Sequence, residues 1–166
     1  MKTTKKIAVI GILSALYVVF SLTLKIPMGV GSIALDLGYI VLTVSVFTVG
    51  AYAGIVGGIG AFVESLVFSA YGISWGWVVM NILIGVICGL AISKVKLDSI
   101  RKYVVCGLVI IGAVLVGITA KTIIECSLYS IPYAVKLPKS AVAFGIDSAA
   151  MLIGLPIASK VKKLVR

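Results

Sequence analysis

The chain has 166 residues, of which 61% are hydrophobic and only 12% charged, and its mean hydropathy is +1.26. A soluble domain of this length would carry far more polar surface, so lipid must be the solvent for much of it. The net charge of +10 does not mark a nucleic-acid binder, because the Lys and Arg residues gather at the ends of apolar segments.

Other chemistries are excluded by residue type. The sequence has no histidine, which removes imidazole triads and zinc-protease motifs, and no Gly-x-x-x-x-Gly-Lys-Ser/Thr, which removes a P-loop. Cys88, Cys106 and Cys126 lie apart in apolar surroundings and form neither a disulfide framework nor a metal motif. No enzyme constellation, resident metal or cofactor is therefore expected.

A span needs about 20 apolar residues, fewer where flanking side chains snorkel. Six segments satisfy this: 7–24, 39–52, 55–70, 75–93, 103–128 and 140–159. The first follows a basic amino terminus, is too long for the core of a signal peptide and lacks a small-x-small cleavage site after it, so it is expected to be retained. Ala8, Gly11 and Ala15, three and four apart, give it a small-residue face that lets another helix approach, either within the chain or from a second protein.

Residues 25–36 form the longest outer connection. Pro27, Gly29 and Gly31 interrupt helix there, and the stretch from Lys25 to Asp36 is apolar for a solvated loop, so it either folds over the bundle or is an ordinary connector. Gly50-Ala-Tyr-Ala-Gly54 is the only break between the second and third segments and is expected to be a tight turn. Without that turn the count falls to five. Residues 129–139 are expected to be a polar-aromatic turn joining the outer ends of the last two spans.

Charge placement agrees with six spans and two cytoplasmic termini. That topology puts Lys2, Lys5, Lys6, Lys94, Lys96, Arg101, Lys102, Lys160, Lys162, Lys163 and Arg166 inside, and Lys25, Lys136 and Lys139 outside. The fold class is thus an all-α integral membrane protein, a compact bundle of six transmembrane helices.

Ionisable and amide groups within spans are costly unless paired or hydrated, so each is a candidate for function. Here they are Glu64, Asn81, Lys121, Glu125 and Asp147. At about 1.5 Å per residue, Glu64 and Asn81 lie about 9 Å and Asp147 about 11 Å below the outer ends of their spans, with Glu125 nearer the rim. The cytoplasmic half is nearly free of such groups, which suggests an outward-facing pocket in place of a channel lined along its whole length. Trp77, Asn81, Gly85 and Gly89 share one helix face, and Ser140, Ala143, Asp147, Ala150 and Gly154 share another. Bland readings stay open at this point. Lys121 and Glu125 can neutralise each other at i, i+4 spacing, Asn81 can be an interhelical tie, and Tyr71, Trp75 and Trp77 can belong to an interfacial aromatic belt or stack on a ligand, with Trp77 the one expected to help close the site.

Several features together resemble a family. The basic amino terminus leading into a small-x-x-x-small helix, the Pro/Gly outer loop, Asn81-Ile-Leu-Ile-Gly85, and Ile131-Pro-Tyr-Ala-Val-Lys-Leu-Pro-Lys139 leading into Phe144-Gly-Ile-Asp147 resemble the substrate-binding S components of energy-coupling factor (ECF) transporters. The resemblance spans nearly the whole chain and implies a bacterial or archaeal cell membrane. It implies that the chain binds a vitamin or related micronutrient outside and topples in the membrane to release it. A transmembrane coupling protein and two cytoplasmic ATPases would supply the drive. The family's Ala-x-x-x-Ala contact with the coupling protein corresponds to Gly11 and Ala15, with Ala8 beside them, and its lid loop to residues 25–36. Riboflavin, pantothenate, folate, pyridoxine-like and queuosine-precursor ligands are all compatible. Two other readings of the buried charges remain: a self-contained ion- or proton-coupled carrier, with Glu64 or Asp147 binding the ion, and a structural subunit of a membrane complex.

Overall fold

The computed structural model describes residues 3–27, 34–68 and 72–165. Gly29, Gly31 and Tyr71 lie outside the described residues. In chain order come α1 (Thr3–Thr23), strands β1 (Lys25–Pro27) and β2 (Ala34–Asp36), α2 (Gly38–Val49), a 3-10 turn (Gly50–Tyr52), α3 (Ala53–Phe68), α4 (Trp75–Ile92), α5 (Ile100–Tyr129) and α6 (Tyr133–Val165). Lipid offers no hydrogen bonds to the backbone, so helices that satisfy themselves are the natural outcome of these apolar runs. Hydroxyls are accommodated the same way: Thr43, Ser45, Ser65 and Thr122 each donate to the carbonyl four residues earlier, at 2.7–3.0 Å.

Among the described residues, five stretches are long and apolar enough to cross a membrane: Thr3–Thr23, Gly38–Val67, Trp75–Ile92, Ile100–Tyr129 and Tyr133–Lys162. The second contains both α2 and α3. The chain reverses within it at Gly50, whose φ of +64° is one that residues with a side chain rarely adopt. After this reversal α3 runs alongside α1.

Packing closes the helices into a ring in the order α1, α3, α4, α5, α6, α2, and back to α1. Within the ring α2 has the most protected surface, with residues from Gly38 to Val49 buried or half-buried. It runs parallel to α6: Thr43 donates to the Met151 carbonyl at 3.0 Å and Gly154 lies against Thr43. Backbone packs directly against backbone where α3 meets α4. A Cβ at Gly85 would fall 2.5 Å from the Gly54 nitrogen, one at Gly54 would fall 2.6 Å from Val86, and Gly89 packs directly on the Gly50 backbone. Close backbone approach of this kind maximises dispersion contacts where no hydrophobic effect drives helices together.

The basic groups gather at one end. The Lys6 ammonium stands 3.6 Å from the centre of the Tyr52 ring, and Lys162 donates to the Ser93 and Val95 carbonyls at 2.6 and 3.1 Å. At the other end β1 and β2 form a short antiparallel ladder with Lys25 opposite Asp36. Two boundaries differ from the sequence reading. The turn after α5 is only Ser130 to Pro132, with Ser130 at φ +51°, and α6 runs on through Pro138 and Pro156 to Val165. Ser130 in the left-handed conformation ends α5, and the Pro132 carbonyl at once accepts from the Val135 and Lys136 amides, so a long polar-aromatic loop is unnecessary.

The α3–α4 seam is testable through its glycines. Gly85→Ala should destabilise the detergent-purified protein by about 1–3 kcal/mol, the usual result of overpacking. Gly112→Ala, where nothing lies within 4 Å of an added Cβ, should leave the unfolding midpoint unchanged or raise it. Equal midpoints for the two variants would refute the seam.

Candidate functional site

At the end opposite the basic cluster, α2, α4, α5 and α6 bring four side chains together. Trp77, near the start of α4, points inward with its ring edge-on to Tyr39 of α2, centroids 6.3 Å apart and planes at 74°. The Lys121 ammonium of α5 stands over the face of the same indole, 3.9 Å from its centre. Asp147 of α6 is buried within electrostatic reach of Lys121. The Tyr39 hydroxyl faces Asp147 without closing a well-formed hydrogen bond. Among the described residues Asp147 Oδ2, Trp77 Nε1 and the Tyr39 hydroxyl are all buried without a hydrogen-bond partner. Each such group costs about 1–3 kcal/mol. One acceptor and two donors thus converge with open valences around an aromatic face.

Asn81, one turn below Trp77, is fully buried and engaged. Tyr17 of α1 donates to its Oδ1 at 3.1 Å, and its Nδ2 donates to the Trp77 carbonyl at 3.0 Å. It therefore ties α1 to α4 beneath the site. Glu64, on α3, is buried within electrostatic reach of Tyr17, Tyr39, Lys121 and Asp147, so it belongs to the same polar island.

Glu125 has a different place from the one its spacing suggests. It forms an ion pair with Lys136 of α6 and accepts from Ser74 at 3.1 Å, while Lys121, four residues away, turns to Trp77. Tyr129 adds a bond to the Ile73 carbonyl at 3.1 Å. The connection before α4 is thus pinned to α5, and α5 to α6, at the rim. Thr122 and Ser140 exchange a hydroxyl hydrogen bond of 2.8 Å further in.

The first connection is anchored by Asp36. Its carboxylate accepts from Ser21 at 2.9 and 3.1 Å and from the Gly38 amide at 2.7 Å, which fixes the hairpin to the end of α1 and the start of α2. Pro27 ends β1. The two tryptophans of α4 separate: Trp75 is exposed and tilts against Phe62 at 6.4 Å, whereas only Trp77 enters the polar island. On α1, Ala8, Gly11 and Ala15 are exposed and a Cβ at Gly11 would meet nothing within 4 Å, so this face is not used for packing inside the chain.

Sequence reasoning missed Tyr17, Tyr39, Ser74 and Lys136. Tyr17 carried a signal, since a tyrosine inside a span must find a partner for its hydroxyl at depth, whereas Tyr39, at the start of its span, could equally belong to an interfacial belt. Ser74 and Lys136 carried none, since their importance comes from where α5 places Glu125.

The comparisons with known proteins agree with this architecture. The family model described as "ECF-type riboflavin transporter, S component" matches residues 1–163. No curated protein sequence matches the chain significantly. Among solved structures, the S component for biotin from an ECF-type ABC transporter superposes with a TM-score of 0.74 at 15% identity, covering 98% of this chain and 93% of that one. FolT bound with folic acid gives 0.63 at 24% identity, covering 90% of each chain. At these identities the two structures speak to the fold, and the family match, which runs over nearly the whole length, speaks to descent. The chain belongs to the ECF-type riboflavin transporter S-component family, and is a multi-pass membrane transport subunit and not an enzyme.

Proposed function

We propose that this chain is the substrate-specific subunit of an ECF-type importer in a bacterial or archaeal cell membrane. In this reading it crosses six times with both termini cytoplasmic, so that the basic end faces inward and the Trp77 island lies in the outer half. The charge bias supports that orientation, and the reversal at Gly50 supports the sixth crossing. The substrate is a vitamin-class micronutrient captured outside. A transmembrane coupling protein and two cytoplasmic ATPases drive uptake, and the exposed Ala8, Gly11 and Ala15 face of α1 meets the coupling protein.

The observation that carries the reading is the convergence of Asp147, Trp77 and Tyr39, with buried groups unsatisfied, around Lys121. A flat heteroaromatic ligand supplies what they lack. Its ring replaces the Lys121 ammonium on the indole face, an N–H of the ligand meets Asp147, and an acceptor meets Trp77 Nε1. The cation–π contact of Lys121, worth about 0.5–2 kcal/mol, is weak enough to be exchanged for that stacking. Riboflavin, a neutral ring system with both donors and acceptors, is the first ligand to test because the family description names it. Glu64, Asn81 and Glu125 complete the site from its walls and rim, and residues 25–36, including Pro27, Gly29, Gly31 and Asp36, close it as a lid.

Calorimetry or quenching of tryptophan fluorescence with riboflavin, biotin, folate, pantothenate and pyridoxine tests this directly, and binding of none of them would overturn it. For whichever ligand binds, Asp147→Asn should weaken affinity at least about tenfold, since a hydrogen bond to a charged group is lost. Trp77→Leu should do likewise and abolish the quenching. Gly11→Leu should leave ligand binding unchanged while reducing co-purification with the coupling protein and ATPases. Retention of that complex would remove α1 from the contact.

A further inference from the structure

A cavity runs along the exposed side of the α3–α4 seam. It encloses about 530 Å³ and its walls are almost wholly apolar, formed by Tyr52, Ile55, Ile59 and Phe62 on one side and Ile82 and Val86 on the other. Gly54 and Gly58 also line it, where α3 lies close against Ile82 and Val86 of α4. Tyr52, Ile55, Ile59 and Ile82 are each between 39% and 48% exposed, so the groove is open along its length.

Two properties of the groove select its occupant. It runs from Tyr52 to Phe62, ten residues of helix or about 15 Å, which is half of the roughly 30 Å hydrocarbon core of a bilayer. A transmembrane helix of another protein would cross the whole core and would overrun it. One end also carries charge: Lys6 is half-buried with its ammonium over the Tyr52 ring, at the end where the other basic groups gather. A molecule with one apolar tail about a leaflet deep and an anionic head fits both features. We infer that the α3–α4 groove is a binding slot for an anionic phospholipid of the inner leaflet, one acyl chain lying between Ile55, Ile59 and Ile82 and its phosphate held by Lys6 beside the Tyr52 hydroxyl.

The slot places a lipid against the Gly54–Gly85 contact, on which the depth of Asn81 and Trp77 depends. Its occupancy does not involve the candidate substrate site, so it stands or falls independently of the ligand.

Native mass spectrometry of the full-length protein, released from nanodiscs of equimolar phosphatidylglycerol and phosphatidylcholine with identical chains, tests the slot. One retained lipid per protein is expected, with phosphatidylglycerol favoured about fivefold, the preference one lysine confers near the headgroups. Lys6→Gln should abolish that preference, whereas Lys5→Gln, at an exposed neighbouring position, should keep it. Ile59→Trp, which fills the trough from its open side, should reduce retention of both lipids. Equal retention of the two lipids by the natural sequence, or equal effects of the two lysine substitutions, would overturn the inference. So would undiminished retention in Ile59→Trp. If Ile59→Trp does not fold, the lysine pair alone decides. Retention of a polypeptide at this groove that excludes lipid would also refute it.

Discussion

Where α3 meets α4 there is no space for a single extra carbon, and much of the molecule follows from that constraint. Gly54 and Gly57 lie against the backbone around Ile82 and Asn81, and Gly85 and Gly89 lie against the backbone from Gly50 to Gly54. Two backbones held this close cannot slide, because any shift in register drives a side chain into a carbonyl. The register fixes Asn81 level with Gly57, and Asn81 in turn receives Tyr17 from α1 and holds the Trp77 carbonyl. Polar groups at the centre of an apolar bundle have no water to fall back on, so their partners must be supplied by geometry. The seam supplies it.

On that base the charges divide into two sets with different work. Glu125 and Lys136 satisfy each other at the rim and, with Ser74 and Tyr129, hold the connections together. Lys121 and Asp147 lie deeper, close enough to feel one another, with the ammonium resting on an aromatic face. The first set is closed and costs little. The second keeps buried polar atoms that close no well-formed hydrogen bond among the described residues, a costly arrangement in the core of a bundle.

Much of this was legible in the sequence. Helical class and membrane solvent follow from the apolar fraction, and the break at Gly50 follows from a pair of glycines bracketing the only interruption in a long run. The Asp147 and Asn81 faces were readable because small residues recur at three- and four-residue spacing beneath a polar group; the structure uses Gly154 against Thr43 and Gly85 against Gly54. Less legible were partners across helices. Lys121 and Glu125 suit each other by spacing alone, and only the position of α6, brought close by a turn just three residues long, reveals that Lys136 takes Glu125 instead. Trp77 could be told from Trp75 in sequence, because it shares the face of Asn81, Gly85 and Gly89 and two residues of helix turn the two indoles to nearly opposite sides.

Lys162 stitches the last helix to the chain segment that leaves α4. Its ammonium satisfies the Ser93 and Val95 carbonyls and sits 5.2 Å from the centre of the Phe47 ring, so α2, α4 and α6 meet at one point on the basic end. One cation thereby sets the mutual spacing of three helices at this end, and two backbone carbonyls left beyond the last turn of α4 are satisfied without water.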